Sequence, residues 1–172
     1  MSVTRLAPPA AFHPDIPRPG VYARLQSALH RQILALLSPG GFGKTCALRG
    51  FWPQLAGNKA WLDVRGAGDD FATHWRAALA QAADGGLIVI DGIEDLRPEY
   101  GRELTIALEQ APRELRFILC GRHGKVLPLA EWRAQGRLSS LDATALALRE
   151  EEWREFGLPG TAQDWGGWWG AM

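Results

Sequence analysis

Residues 38–46 read Ser-Pro-Gly-Gly-Phe-Gly-Lys-Thr-Cys, three glycines followed by an amine and a hydroxyl. Glycines tolerate positive φ, so several backbone N–H groups of such a stretch can point one way and cradle an anion. A helix beginning at its end would add a partial positive charge worth roughly 0.3–1 kcal/mol per anionic group. Lys44 could then reach the β and γ phosphates of a nucleotide, and the Thr45 hydroxyl could bind Mg²⁺. Gly40, Gly41, Phe42, Gly43, Lys44, Thr45 and Cys46 are therefore the candidate phosphate-binding positions. The match to G-x-x-x-x-G-K-[ST] is incomplete, because Ser38 stands at the first glycine. A dinucleotide fingerprint fits worse, since no third glycine follows Gly43. A plain glycine-rich turn is the alternative.

A phosphate loop of this kind needs a carboxylate to hold the magnesium at the end of another central strand. Leu-Ile-Val-Ile-Asp at 87–91 supplies Asp91 in that place, where the competing role is a turn former or helix cap. A polar residue is also expected near the γ-phosphate, at the tip of the strand between these two. Arg122, following Leu-Arg-Phe-Ile-Leu-Cys-Gly at 115–121, is the candidate, against the alternative of a solvated loop arginine.

These side chains need a scaffold, and the apolar pattern supplies one. Val21 opens a helical pattern with Leu25, Ala28 and Leu29 on one face. The run 32–37 reads as a strand, and the helix after the glycines shows Leu48, Phe51 and Trp52 and should stop at Pro53. Residues 60–64 form a second strand, followed by a helix with Asp69 or Asp70 as N-cap and Phe71, Trp75, Ala78, Leu79 and Ala82 on one side. Strands at 87–91 and 115–121 enclose a helix bearing Tyr100, Leu104, Ala107, Leu108 and Ala111 that ends near Pro112. A helix over 127–135 stops at Gly136, a short fifth strand covers 138–142, and one charged helix runs on to about Phe156. Alternating strands and helices with apolar strands specify an α/β fold, a mostly parallel five-stranded sheet covered on both faces. Residues 1–20, with five prolines, read as an extended lead-in, 21–157 as the domain, and 158–172 as a glycine- and tryptophan-rich tail. Trp165, Trp168 and Trp169 there could form an adhesive patch or fold back onto the domain.

The chain has 172 residues, 47% of them hydrophobic, with 19 basic and 19 acidic side chains. One domain of this size buries roughly two-thirds of its unfolded surface. The absence of a basic stripe argues against direct nucleic-acid binding. No run approaches the roughly 18 apolar residues of a membrane helix, and no signal-peptide pattern is visible, so a cytoplasmic, membrane-free protein is expected. Cys46 and Cys120 have no metal-like spacing, nor have His13, His30, His74 and His123. Cys46 is expected either as a thiol with a lowered pKa at a helix N-terminus or as a small packed residue.

Taken together, the motifs resemble the nucleotide-binding domain of the signal transduction ATPases with numerous domains, and within them the large LuxR-type transcription regulators related to MalT. The resemblance is carried by the loop at 38–45, by Ala-Trp-Leu-Asp-Val at 60–64 with the Phe71-x-x-x-Trp75 helix, and by residues 117–146 with their arginine-ended strand and Leu-Pro-Leu segment. It implies a three-layer P-loop NTPase fold with the loop-bearing strand inside the sheet, ATP/ADP with Mg²⁺ as a regulatory switch, and self-association or a protein partner in signal transduction. Such regulators bind DNA through a separate helix-turn-helix domain, and none is recognisable in these residues.

Members of that group usually carry two acidic residues after the apolar strand, the second activating water. Here the second position is Gly92, and general-base help is worth about 10²–10⁴-fold. Slow or absent hydrolysis is the expectation. Glu94 and Asp95 lie near enough in sequence to substitute, although a solvated loop suits them as well. Two functional readings stay open: an ATP/ADP-binding switch domain that hydrolyses slowly, and a non-enzymatic interaction module on a degenerate phosphate-loop scaffold. A phosphotransferase would need an acceptor pocket and an arginine-rich lid, which the sequence does not display.

Overall fold

A computed structural model describes residues 6–10, 17–65 and 70–155. The tail at 158–172 and Asp69 lie outside the described residues. Helix α1 (Pro19–Ala28) leads into β1 (Ile33–Leu37), and the glycine loop connects β1 to α2 (Lys44–Phe51). Then follow β2 (Lys59–Asp63), α3 (Phe71–Gln81), β3 (Leu87–Asp91), α4 (Pro98–Gln110), β4 (Arg116–Gly121), α5 (Leu129–Ala134), β5 (Leu138–Leu141), α6 (Ala143–Leu146) and α7 (Glu150–Glu155).

The strands form one sheet in the order β2-β3-β4-β1-β5, and every neighbouring pair is parallel. Alternation along each strand splits its side chains between two apolar layers. Ile33, Ala35, Ile88, Ile90, Phe117 and Leu119 face one core with Phe71 and Trp75 of α3, Leu104 and Leu108 of α4, and Trp132 of α5. Leu34, Leu36, Val89 and Ile118 face the other, against Val21, Tyr22 and Leu25 of α1 and Ala47, Leu48 and Phe51 of α2. The result is an α/β architecture with helices on both faces of the sheet, compatible with a three-layer P-loop-like fold. Fully burying a Leu, Ile or Phe stabilises by about 1.5–3 kcal/mol, so these two layers dominate what holds the strand ends in place. The aromatic residues of the α3 motif serve this core: Trp75 stacks on Phe117 with ring centroids 6.1 Å apart, and Phe71 on Tyr100 at 5.2 Å.

Two expectations need correction. Helix α1 starts at Pro19, inside the segment read as lead-in, because proline's fixed φ suits a first helical turn. The charged C-terminal segment is two helices rather than one. Asp142 caps α6 by accepting from Thr144 N at 2.9 Å, and Ala147 then turns extended at φ −58°, ψ 136°. Arg18 holds the break open from the other end of the chain, donating from Nη2 to the Leu146 and Ala147 carbonyls at 2.8 and 3.1 Å. The same atom pairs with Glu152, which is buried and accepts from Arg149 N at 3.0 Å, half of a capping box for α7. The expected intrahelical ion pairing is seen between Arg154 and Glu150 at 3.6 Å.

Candidate functional site

In a parallel sheet the loops beyond the carboxyl ends of the strands share one edge, and the site lies there. β4 lies between β1 and β3, so the glycine loop, Arg122 and Asp91 follow one another along that edge, and β1 is interior, flanked by β4 and β5. Both placements match what the sequence implies.

After β1 the chain passes Ser38, which is buried and whose N–H donates to the Gly121 carbonyl at 3.2 Å. Gly43 is the N-cap of α2 in the left-handed region, φ 73°, and Gly41 has φ 83°. As a glycine, the N-cap offers no side chain to accept from the first N–H groups of this helix. A Cβ added at Gly40 or Gly43 would meet no heavy atom within 4 Å, so space lies open over the loop. Lys44 Nζ folds back along it and donates to the Ser38 and Pro39 carbonyls at 2.6 and 2.8 Å. These two contacts hold the ammonium against the loop. Cys46 is exposed, with Arg49 Nη2 3.8 Å from its sulfur, which overturns the reading of a small packed residue.

Asp91 closes β3 and is buried. Its Oδ2 accepts from Thr45 Oγ1 at 2.9 Å, which joins the first turn of α2 to the second strand of the site across 46 residues of chain. The Cys120 thiol from the neighbouring strand also contacts it. Burial raises the Asp91 pKa, and the Arg65 charge and the Cys120 and Thr45 hydrogen bonds oppose that rise. The Cys120 thiol is itself pushed up by burial and by the Asp91 carboxylate, so it stays protonated and serves as a donor.

Arg122 stands at the tip of β4 as expected from its position. Its side chain is 63% exposed, and both its N–H and its Nε are 3.1 Å from the two oxygens of Glu94. Glu94 is thus held by Arg122, which leaves neither oxygen without a donor. Asp95 is exposed. Gly92 sits at φ 85°, a conformation that disfavours any L side chain.

The residue that the sequence reading missed is Arg65, just past β2. Its Nε and Nη2 grip Asp63 at 2.9 and 2.8 Å, and the same Nη2 is 3.1 Å from Asp91 Oδ2. Its stem lies over Gly92, so close that a Cβ there would be 2.5 Å from Arg65 Cγ. One signal was available. Asp63 and Asp91 are register partners on adjacent parallel strands, so a cation two residues beyond Asp63 is placed to meet both.

The donor set fits a hydrated divalent cation, one hydroxyl and one carboxylate with water completing the shell, the usual way Mg²⁺ is held. Among the described residues there is no cluster of three or more His, Cys, Asp or Glu that could bind a metal unaided, and no helix is long and apolar enough to cross a membrane. The chain matches no protein-family model, and no curated protein gives a significant match.

Proposed function

We propose that this chain is an ATP/ADP-binding nucleotide-switch domain of the kind found in signalling or transcription-regulatory ATPases, with slow or absent hydrolysis. The observation that carries this reading is the 2.9 Å contact between Thr45 Oγ1 and Asp91 Oδ2 beside an uncapped helix N-terminus and Lys44. A phosphate chain entering the open space over Gly40 and Gly43 would draw the Lys44 ammonium from its two carbonyls, a charge-assisted exchange that favours the anion. Thr45 and Asp91 would hold magnesium, which would supply positive charge to neutralise the phosphates. Arg122 would lie nearest the terminal phosphate, at the strand between the loop and Asp91.

Hydrolysis has little support from the side chains present. Gly92 offers no base, and Glu94 is held by Arg122 at both oxygens. Nucleotide state would then act through differential affinity for a protein partner or a second copy of the chain rather than through turnover. The Arg65 contact with Asp91 is the observation that favours the second reading, an interaction module on a degenerate scaffold, because a guanidinium there competes with a metal ion.

Calorimetric titration of the chain with ATP and ADP in magnesium, beside Lys44→Ala, tests the proposal. Loss of one charge-assisted contact is worth about 1.5–3 kcal/mol, a weakening of roughly 10- to 150-fold. Absence of binding by a folded wild-type chain would overturn the nucleotide reading and leave the interaction module.

A further inference from the structure

Two carboxylate oxygens from adjacent strands, Asp63 Oδ2 and Asp91 Oδ2, converge on a single nitrogen, Arg65 Nη2, at 2.8 and 3.1 Å. Thr45 Oγ1 donates to the same Asp91 oxygen. A compact cation placed at that nitrogen would meet two carboxylates, one of which also accepts from the Thr45 hydroxyl. We propose that the Arg65 guanidinium is a tethered stand-in for the divalent cation at this site, so that the chain binds nucleotide with little dependence on magnesium, and magnesium must displace Arg65 to enter. The inference rests on the nucleotide-binding reading of the loop and specifies its metal requirement.

The physical argument begins with Asp91. Its side chain is 4% exposed, and an ionised carboxylate so far from water is costly unless a positive charge meets it. In a magnesium-dependent phosphate loop the metal meets that charge. Here Arg65 does so from within the chain, and it is held in place independently of nucleotide. Its Nε and Nη2 form a fork on Asp63, and its own N–H donates to Asp63 Oδ1 at 3.0 Å. The stem also needs the space over residue 92 that a side chain would otherwise occupy. A glycine there and an arginine at 65 are thus one arrangement: the glycine admits the guanidinium, and the guanidinium neutralises the aspartate. Magnesium approaching Thr45 and Asp91 meets a cation already on the shared oxygen. Arg65 is 44% exposed and retains Asp63 as a partner when it swings away, so displacement is open to it.

Two readouts on the full chain test this, in wild type, Arg65→Gln and Arg65→Lys. The first is Mn²⁺ binding without nucleotide, followed by the loss of the free-ion paramagnetic signal. Removing the competing charge should tighten Mn²⁺ binding by about tenfold or more in Arg65→Gln, a change of about 1.4 kcal/mol. Arg65→Lys retains the charge and should stay within about threefold of wild type, under 1 kcal/mol. Equal Mn²⁺ affinity in wild type and Arg65→Gln, or a rise in the lysine variant as large as in the glutamine one, overturns the proposal. The second readout is ATP affinity in Mg²⁺ against excess chelator. Wild type should lose no more than about threefold on chelation and Arg65→Gln about tenfold. A wild-type chain whose binding collapses on chelation also overturns it, and that result needs no variant to fold. If no chain binds ATP or ADP in either buffer, the nucleotide reading fails, and the Mn²⁺ comparison alone decides the role of Arg65.

Discussion

Replacing Gly92 tests the packing at the strand ends. In the proposed switch reading, a base would stand at position 92, so the direct experiment for supplying one is Gly92→Glu, and its steric control is Gly92→Ala. Gly92 has φ 85°, and an L residue held there costs roughly 1–2 kcal/mol. A Cβ would also stand 2.5 Å from Arg65 Cγ and 3.1 Å from its Cδ, so the Arg65 stem must move and loosen its hold on Asp91. Loss of that half-exposed pairing adds about 0.5–1 kcal/mol. Gly92→Ala should therefore destabilise by about 1.5–3 kcal/mol, seen as a fall of roughly 3–12 °C in Tm for a domain of this size. Urea unfolding with linear extrapolation gives the free energy directly. A double-mutant cycle with Arg65→Ala isolates the steric part, because the obstacle is gone in that background. About 0.5–1 kcal/mol of the alanine penalty should disappear. Gly92→Glu should gain no ATPase activity, since the side chain enters only by distorting the aspartate it is meant to serve. A Gly92→Ala chain within about 0.5 kcal/mol of wild type, the range of an ordinary surface change, refutes the reasoning. So does a cycle with no coupling.

Thr45→Val replaces the donor on Asp91 by a methyl group of similar size. A buried carboxylate deprived of a hydrogen bond should cost about 1–3 kcal/mol of stability by urea unfolding, and in the Arg65→Gln background the same change should abolish the gain in Mn²⁺ affinity. The Glu152 carboxyl is held below its ordinary value of 4.5: burial alone would raise it, but the Arg149 N–H and the Arg18 guanidinium outweigh burial. A depressed folded-state pKa means that the stabilisation is present above 4.5 and lost as pH falls through the lower folded value. Glu152→Gln should accordingly be less stable than wild type at pH 7, with the gap closing below pH 4.5. A gap that stays constant well below pH 4.5 shows that the carboxylate charge is not what holds α7.

The layered α/β fold was legible because its strands carry it locally. The run 87–90 is apolar throughout and, with Asp91, is fully buried in β3, and the helices announce their core faces through positions such as Phe71, Trp75 and Ala78, all buried on α3. The turn at the glycine loop was legible for the same kind of reason, since its conformation is set by consecutive residues. The places of Asp91 and Arg122 in the fold could be read because one closes a strand and the other follows one.

Only the tertiary structure decided which charge meets which. Arg65 and Asp91 are 26 residues apart, and Arg122 and Glu94 are 28 apart. Ions at or just past strand ends have no period to betray their partners, and the order β2-β3-β4-β1-β5 had to be formed before Asp63 and Asp91 became neighbours. The divided C-terminal helix has the same origin. Its break is held by Arg18, 128 residues upstream of Leu146, and no window of local sequence contains that contact. Apolar burial acts through repeating faces and is written along the chain, whereas a hydrogen bond between two ions is a single distance that exists only once the sheet has closed it.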